Sequence, residues 1–552
     1  MAPRQQVYTA RPKARPAKEE DGAVSAPYKP QKAQAKRRKI QADEKAAGKK
    51  ADSSRRTDAP RRAKEKEPAE RKAPRGGAKK GEAKQATPPG RTNAQPEKKA
   101  KDAAKPARRA AAALRAPAGK PDTRAKRQEE AVYRDRRRSV SRGGDFGITM
   151  MALLTAVFEA LGLLLTACRQ TGTLDTRAVA LLAAVVPLGL MTTLALPRVL
   201  PIDRLIMALT NFLCGVSVVI LYTVSPERGV RQTCFYALGL AVMLAMGVLV
   251  SRCRHFKGLT LLSMLLGIVA LALPLVLGEW QNGAKNWVTL PLVGSFQPSE
   301  MVKLSIVLTL AYYFSAHRTV FQMMPAILFA GACLVLLMLQ RDLGTALIYY
   351  LTTLVLFYAA CGNMPLTVLG LGGGVGAAVL GYKMFAHVKV RVAMWRNPWS
   401  DPLDKGHQII QALLAIGSGG LFGVGLGQGT PDQIPAYYND FIFAVICEQM
   451  GLIFELLVLA VYLLLIARGV SIAVRARRSF DLLLGCGVLA LLGIQTFMIV
   501  AGVIKMIPLT GVTMPFLSYG GSSLLSCLAM VGVLNGIAER AQENLEEDIL
   551  GA

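Results

Sequence analysis

Twelve apolar runs, each about long enough to cross a bilayer as an α-helix, fill the chain from Phe146 onward. Backbone N–H and C=O groups find no water inside a bilayer, so runs of this length cross it as helices, whereas barrel strands would be shorter and alternating. The sequence therefore predicts an all-α polytopic membrane protein of about twelve transmembrane helices. The predicted spans are 147–168, 178–197, 205–224, 234–251, 258–278, 299–316, 322–340, 343–361, 364–384, 441–467, 481–503 and 515–538.

An N-terminal arm, residues 1–145, differs sharply from this membrane body. Residues 1–144 hold 43 lysines and arginines against 17 aspartates and glutamates, so the arm carries most of the formal net charge of +30. The arm has almost no aromatic or β-branched residues, and this composition predicts a disordered, solvated segment. Its charge would also attract anionic lipids at a cytoplasmic membrane surface. Nucleic-acid binding is not expected, because the arm offers no aromatic platform for base stacking.

Basic residues between the apolar runs predict the orientation of the chain. With the arm in the cytoplasm and the helices alternating, the arginine-rich connection 468–478 faces the cytoplasm, as the positive-inside rule requires. Residues 539–552 would then form a short cytoplasmic tail. The longest break in the body, residues 385–440, would form a large extracellular loop. We therefore expect a multi-pass membrane protein with both termini in the cytoplasm.

The predicted extracellular loop is unusually polar at one point and unusually patterned at another. The stretch NPWSDPLDKGHQII contains Asp401 and Asp404, while IIQALLAIG has the spacing of a short amphipathic helix. Considered alone, an aspartate before proline is most often a turn residue. Trp395 and Trp399 flank Asp401 and suit the headgroup level of a membrane. This loop is therefore expected to contact a molecule that is itself partly lipid.

Ionisable residues inside the apolar runs need an explanation, because each costs roughly 2.5–3.5 kcal/mol at the bilayer centre. Glu300 and Lys303, in QPSEMVKL, share one helix face and are predicted to pair, although Glu300 could instead serve only the helix start. Asp342, in QRDLGTAL, either caps the helix that begins at Leu343 or belongs to a polar site. Glu448 is expected to point into the bundle.

Five longer motifs occur in an order that resembles one family of membrane proteins. They are GAKNWVTLPLVGSFQPSEMVKL, QRDLGTAL, DPLDKGHQIIQALLAIGSGGLFGVGLGQG, IPAYYNDFIFAVICEQMGLI and IPLTGVTMPFLSYGGSSLL. Together they resemble the SEDS family of bacterial cell-wall polymerases, the FtsW/RodA/SpoVE proteins. The resemblance covers a ten-helix core over residues 203–538. It leaves two additional N-terminal helices, within 146–200, outside the family pattern.

The resemblance implies a peptidoglycan glycosyltransferase that polymerises lipid II at the outer face of the bacterial cytoplasmic membrane. It also implies a class B penicillin-binding protein as partner, together with divisome or elongasome proteins. A lipid II flippase is the alternative, because a carrier would also show intramembrane charges along a cavity. A scaffold without catalysis is a third interpretation. Division, elongation and sporulation all remain open.

The resemblance also assigns roles to residues, motif by motif. Asp401 matches the family's essential extracellular aspartate, and we expect it to act as a general base. Glu300 and Lys303 match the family's QPSE..K pair, and Asp342 matches the DLG aspartate of its central cavity. The family usually has proline before DLG, where this chain has Arg341, for which we expect only a rim position.

Further residues are candidates for binding the substrate. Lys303, Arg391 and Arg396 are expected to face its pyrophosphate groups, and Mg²⁺ or another divalent cation is an alternative counter-charge. Three residues of PFLSYGGSS either allow a close approach to the substrate or only pack helices together. These three are Ser518, Gly520 and Gly521.

Overall fold

A computed structural model describes residues 123–171, 175–253, 255–281, 283–290, 294–316 and 319–551. Most of the basic arm, residues 1–122, therefore lies outside the described residues, and its predicted disorder stays a prediction. The described helices and strands are, in chain order, α1 (Thr123–Thr171), α2 (Thr176–Leu190), α3 (Leu196–Val199), α4 (Arg204–Val224), α5 (Pro226–Arg252), α6 (Phe256–Leu277), β1 (Glu279–Gln281), β2 (Ala284–Leu290), β3 (Gly294–Phe296), α7 (Pro298–Ala316), α8 (Val320–Leu339), α9 (Leu343–Cys361), α10 (Met364–Met384), α11 (Ala386–Arg396), α12 (His407–Gly419), α13 (Ile442–Val474), α14 (Ser479–Val503) and α15 (Gly521–Gly551).

The predicted all-α membrane architecture is confirmed. Eleven helices of the described part of the chain are long and apolar enough to cross a membrane. The remaining predicted span is α7, a 19-residue helix whose first two turns contain the charged Glu300 and Lys303. Some boundaries differ from the prediction: α15 begins at Gly521 rather than at 515 and continues to Gly551 through the predicted tail.

Two helices before the core, α1 and α2, pack against α4. A separate apolar cluster joins them and consists of Leu163, Ala167, Ala178, Leu181, Val185, Val218, Val219 and Tyr222. A π-helical turn, Met191–Ala195, follows α2. The side-chain amide of Asn211 donates to the hydroxyls of Thr192 and Thr193 in this turn, at 2.8 and 2.7 Å. Apolar packing and a polar contact thus both hold the additional helices on the core.

The centre of the bundle is formed by α4, α14 and α15. In the apolar stretch of α4, 89% of the residues are buried, and in that of α15 83% are buried. In the apolar stretch of α10, the buried share is 0%. Glycine allows α15 to approach α5 closely, because a Cβ on Gly532 would lie 2.2 Å from the carbonyl oxygen of Met243. Helix α10 therefore lies at the periphery, whereas α4 and α15 lie in the interior of the bundle.

The segment predicted as a large extracellular loop, 385–440, is largely structured. It contains α11, a 3₁₀ turn over Pro398–Ser400, and α12. Helix α12 confirms the predicted amphipathic helix, and its buried side includes Ile409 and Ile410. A small antiparallel sheet, in the order β1-β2-β3, lies between α6 and α7.

Helix α13 is broken at Gly451, whose φ is 82° and ψ 171°. The break leaves backbone groups without helical partners, and the glycine-rich segment after α12, residues 420–430, supplies these partners. The amide of Leu452 donates to the carbonyl of Gly420 at 3.0 Å, and the amide of Val424 donates to the carbonyl of Glu448 at 2.9 Å. The loop and the broken helix therefore complete each other's hydrogen bonds, as buried backbone groups require.

Two side chains of α13 also bind the glycine-rich segment. The carboxylate of Glu448 accepts from the amide of Thr430 at 2.9 Å, and the side-chain oxygen of Gln449 accepts from the amide of Gly427 at 3.1 Å. Glu448 is buried and points inward, as predicted. Its function in the fold is to fix the end of the glycine-rich segment.

We expect Gly451→Ala to destabilise the protein. The backbone conformation of Gly451 is nearly restricted to glycine and costs another residue about 1–3 kcal/mol, and the added Cβ would lie 2.4 Å from the amide nitrogen of Gly423. Thermal unfolding in detergent measures the effect. Gly376→Ala on α10 is the control, because its Cβ meets no atom within 4 Å. Equal melting temperatures for Gly451→Ala and the parent would contradict this account of the break.

Candidate functional site

The buried pair of Glu300 and Lys303 forms the inner end of the candidate site. The ammonium nitrogen of Lys303 lies 2.6 Å from Glu300 Oε2 and 2.7 Å from Gln495 Oε1. The Lys303 side chain is only 1% exposed. The predicted pairing is confirmed, and Gln495 on α14 is a third member that the local sequence pattern did not reveal. Buried charges need such partners, because desolvation of an isolated ion costs several kcal/mol.

An irregular segment between α14 and α15, residues 508–514, connects this pair to α11, in the loop predicted to be extracellular. The side-chain amide of Gln495 donates to the carbonyl of Thr513 at 2.7 Å. The guanidinium of Arg391 on α11 donates to the carbonyl of Thr510 at 2.9 Å. One short segment thus positions both the buried charge and a cation of the predicted extracellular loop.

Asp342 caps α9, as one of its two predicted roles requires. Its Oδ1 accepts from the amide of Thr345 at 3.1 Å. Its Oδ2 accepts from the side-chain amides of Asn286 and Gln297, at 2.9 and 2.8 Å. Asn286 lies on β2 and Gln297 directly precedes α7, so this carboxylate links β2, the start of α7 and the start of α9. Contact of Asp342 with a substrate stays a prediction.

Asp440, which the sequence reasoning did not select, lies in the same region as Arg391. A Cβ on Gly511, at φ +70°, would lie 3.4 Å from Arg391 Nη2 and 3.6 Å from Asp440 Oδ2. Burial raises the pKa of the Asp440 carboxyl to about 6, while Arg391 lowers it and Asp342 raises it. The signal available in the sequence was its place in YNDFIF, directly before a membrane helix.

Asp401 follows the 3₁₀ turn at the end of α11. Its amide donates to the carbonyl of Pro398 at 3.3 Å, and its carbonyl accepts from the amide of Gly406 at 2.9 Å. The residue is half-buried, and within the described part of the chain no hydrogen bond reaches its carboxylate. The backbone of Asp401 is therefore fixed while its carboxylate oxygens remain available to a ligand.

The tryptophans beside Asp401 differ in their surroundings. The indole nitrogen of Trp395 donates to the carbonyl of Lys505 at 3.1 Å, which fixes α11 against the segment after α14. Trp399 is exposed, and so is Arg396. Arg391, rather than Arg396, is thus connected to Lys303 through the segment 508–514 and Gln495. Phosphate binding by either arginine stays a prediction.

The PFLSYGGSS residues make contacts within the protein. The Ser518 hydroxyl accepts from the amide of Met514 at 2.8 Å and donates to the carbonyl of Asn439 at 2.6 Å. A Cβ on Gly521 would lie 2.6 Å from the ring of Phe235, whereas one on Gly520 would meet no atom closer than 3.8 Å. These contacts correspond to the packing alternative for Ser518 and Gly521. A role of all three in binding the substrate stays a prediction.

The acidic, histidine and cysteine side chains are the possible ligands for a metal ion. Among the described residues, no group of three or more of them is close enough to hold a metal ion. A divalent cation as counter-charge to the substrate stays a prediction.

We expect Lys303→Met to reduce the free energy of unfolding by about 3–5 kcal/mol, because it leaves Glu300 buried without its cation. The double variant Glu300→Gln, Lys303→Met should recover much of this loss, since both charges are then removed. Thermal unfolding in detergent measures both changes. The control is Glu227→Gln, which removes an exposed ion pair with Arg231 and should have little effect. An unchanged melting temperature for Lys303→Met would refute a structural role of the pair.

Comparisons with known proteins assign the core to a family. The family model FTSW_RODA_SPOVE, described as cell cycle protein, matches residues 204–543. The chain is 34% identical over 331 residues to peptidoglycan glycosyltransferase RodA of Mycobacterium leprae, across 57% of this chain and 71% of that relative. It is 35% identical over 321 residues to a probable peptidoglycan glycosyltransferase FtsW of Geobacter sulfurreducens, across 56% and 85%.

A third relative and one solved structure extend the comparison. The chain is 33% identical over 362 residues to stage V sporulation protein E of Bacillus subtilis, across 61% of this chain and 96% of that relative. A chain from a peptidoglycan synthase complex that coordinates polymerization and crosslinking matches with 26% identity and a TM-score of 0.53, across 62% and 98%. The family match covers more than half of the chain and includes ten of its predicted membrane spans. The chain belongs to the FtsW/RodA/SpoVE family.

Proposed function

We infer that this protein is a peptidoglycan glycosyltransferase that polymerises lipid II at the outer face of the cytoplasmic membrane. Relatives bearing that activity in their names support the reaction class. One structural observation supports the site: Asp401 has a fixed backbone and a half-buried carboxylate that no described residue binds. A carboxylate in this state is available to accept a proton from a bound hydroxyl.

The proposed reaction needs one base and no acid. The 4-hydroxyl of a GlcNAc residue attacks the anomeric carbon of a lipid-linked MurNAc, while the carboxylate of Asp401 takes the hydroxyl proton. The bond from the anomeric carbon to the diphosphate breaks, and the diphosphate leaves with the electron pair. Because diphosphate is already a good leaving group, the acid of a carboxylate pair, as in inverting hydrolases, is not required.

Cations of the polar region would stabilise the leaving diphosphate. Arg391 is held by Thr510 and belongs to the same helix that leads to Asp401. Its planar guanidinium suits two phosphate oxygens at once, whereas the Lys303 ammonium acts as a point charge deeper in the bundle. We therefore assign diphosphate binding to Arg391. Lys303 would contribute its positive charge from deeper in the bundle.

The flippase alternative has less support. The buried charges Glu300 and Lys303 are bound to each other and to Gln495, rather than lining an open path. A carrier needs a pathway that opens to both faces of the membrane.

We propose the following cellular setting. The partner is a class B penicillin-binding protein that cross-links the new strands, because a related chain is part of a synthase complex that coordinates both steps. Both termini lie in the cytoplasm, and the basic arm binds anionic lipids there. A variant without residues 1–122 should keep polymerisation in detergent and lose affinity for anionic vesicles. Unchanged vesicle binding would contradict this role of the arm.

We expect Asp401→Asn to reduce lipid II polymerisation by about 10²–10⁴-fold, because the neutral amide cannot accept the proton. The assay uses purified protein, lipid II and the partner transpeptidase, with glycan chains separated by gel electrophoresis. Asp404→Asn is the matched control, an exposed aspartate of the same turn. An unchanged melting temperature shows that the variant is folded, and undiminished glycan formation by folded Asp401→Asn would reject the assignment of the base.

A further inference from the structure

A second arginine, Arg341, stands close to the candidate site. Arg341 directly precedes Asp342 and adopts a left-handed backbone with φ 62°. Its guanidinium carbon lies 4.8 Å from the ring centroid of Trp280 on β1, which is a cation–π contact. Both side chains are exposed. Arg341 therefore makes a defined contact within the protein, whereas the sequence predicted only a charge at the rim.

The start of α9 and helix α11 meet at one backbone carbonyl. A Cβ on Gly344, in the first turn of α9, would lie 2.7 Å from the carbonyl oxygen of Thr510. The same oxygen accepts from Arg391 on α11. Arg341 and Arg391, though fifty positions apart in sequence, thus belong to elements that are anchored at the same point.

A histidine of α11 completes a group of three donors. His387 lies one turn before Arg391, on the same helix face. Its Nε2 is buried and, within the described residues, has no hydrogen-bond partner. Partial burial lowers the pKa of the His387 imidazole, and the charges of Arg391 and Arg341 lower it further. A buried ring nitrogen without a partner, under the influence of two cations, is the environment that an anion would satisfy.

The nearby carboxylates, Asp342 and Asp440, do not occupy the guanidinium donors of Arg341 and Arg391. Both oxygens of Asp342 already accept hydrogen bonds from Thr345, Asn286 and Gln297. Asp440 lies near Arg391 but forms no ion pair with it within 4.0 Å in the described structure. Two guanidinium groups therefore retain donors that are available to a ligand.

We propose that Arg341, His387 and Arg391 form a binding site for the diphosphate group of a polyprenyl-linked molecule. This inference rests on the proposed function and assigns its diphosphate to three named residues. Two phosphates offer acceptors for two guanidinium forks, and the ring nitrogen supplies a third donor. Arg341 is exposed, and its guanidinium would add a second cation beside Arg391.

Binding at this site is linked to protonation of His387. A bound diphosphate favours the imidazolium, so the pKa of His387 is higher in the complex than in the free protein. Affinity should thus rise as the pH falls through the pKa of the complex and level off below that of the free protein. The groups acting on His387 are Arg391 on its own helix, Arg341 from the start of α9, and the ring of Phe385, whose centroid is 5.5 Å away.

The test measures binding of undecaprenyl diphosphate to the full-length protein in detergent by calorimetry. We expect Arg341→Gln to raise the Kd about tenfold, as loss of one charge-assisted hydrogen bond does. The control is Lys389→Gln, which removes an exposed cation from α11, the helix that contains His387 and Arg391. An equal loss of affinity in Lys389→Gln would show non-specific attraction and overturn the proposal. In polymerisation assays, Arg341→Gln should raise KM more than it lowers kcat.

A pH series separates the role of His387 from a structural one. Between pH 8 and 5.5 the parent protein should gain affinity more steeply than His387→Gln, while titration of the ligand itself is common to both proteins. Parallel pH profiles would overturn the role of the imidazole. Competition with phosphatidylglycerol forms a further arm: displacement at similar concentrations would show a general lipid-phosphate site and overturn the diphosphate assignment.

The same measurements distinguish this proposal from the proposed function. If the parent polymerises lipid II while Arg341→Gln and His387→Gln bind the diphosphate as the parent does, the proposed function is supported and the proposed binding site is refuted. If the parent binds the diphosphate with the expected pH dependence but forms no glycan chains, the proposed binding site is supported and the proposed function is refuted.

Discussion

The buried contact of Lys303 with Glu300 and Gln495 is the interaction on which the polar interior depends. An ammonium inside a membrane bundle is tolerated only with partners, so α7 and α14 must keep their register. Gln495 connects this buried contact to the segment 508–514, because its side-chain amide also donates to the carbonyl of Thr513. The segment 508–514 then holds Arg391 through Thr510. A charge in the core thus helps to position a helix at the predicted outer face.

A second constraint comes from the break in α13. A helix interrupted in a membrane must find other partners for its backbone groups, and here the glycine-rich segment after α12 supplies them. Glu448 and Gln449 add side-chain contacts to the same segment. The outer region is therefore tied to α13 by α12 and the segment after it, and to α14 by segment 508–514. Such support from regular elements is what a site needs if it must orient two large lipid-linked molecules.

Local patterns predicted those features that depend on one stretch of chain. Hydropathy indicated the twelve spans, because the bilayer imposes length and apolarity on each helix separately. The pairing of Glu300 with Lys303 followed from i,i+3 spacing, and the cap by Asp342 from its place before α9. The motif resemblance indicated the family and Asp401. It did not indicate Asp440 or His387, whose surroundings come from elements distant in sequence.

By itself, then, the sequence determined the membrane class, the number of spans, the basic arm and the acidic residue proposed as base. Only the tertiary structure decided that Gln495 completes the buried pair, that Gly451 interrupts α13, and that Thr510 joins α9 to α11. The physical reason is that these contacts join residues many positions apart. Their formation depends on how helices pack and where backbone groups lack partners, and neither hydropathy nor local spacing encodes that.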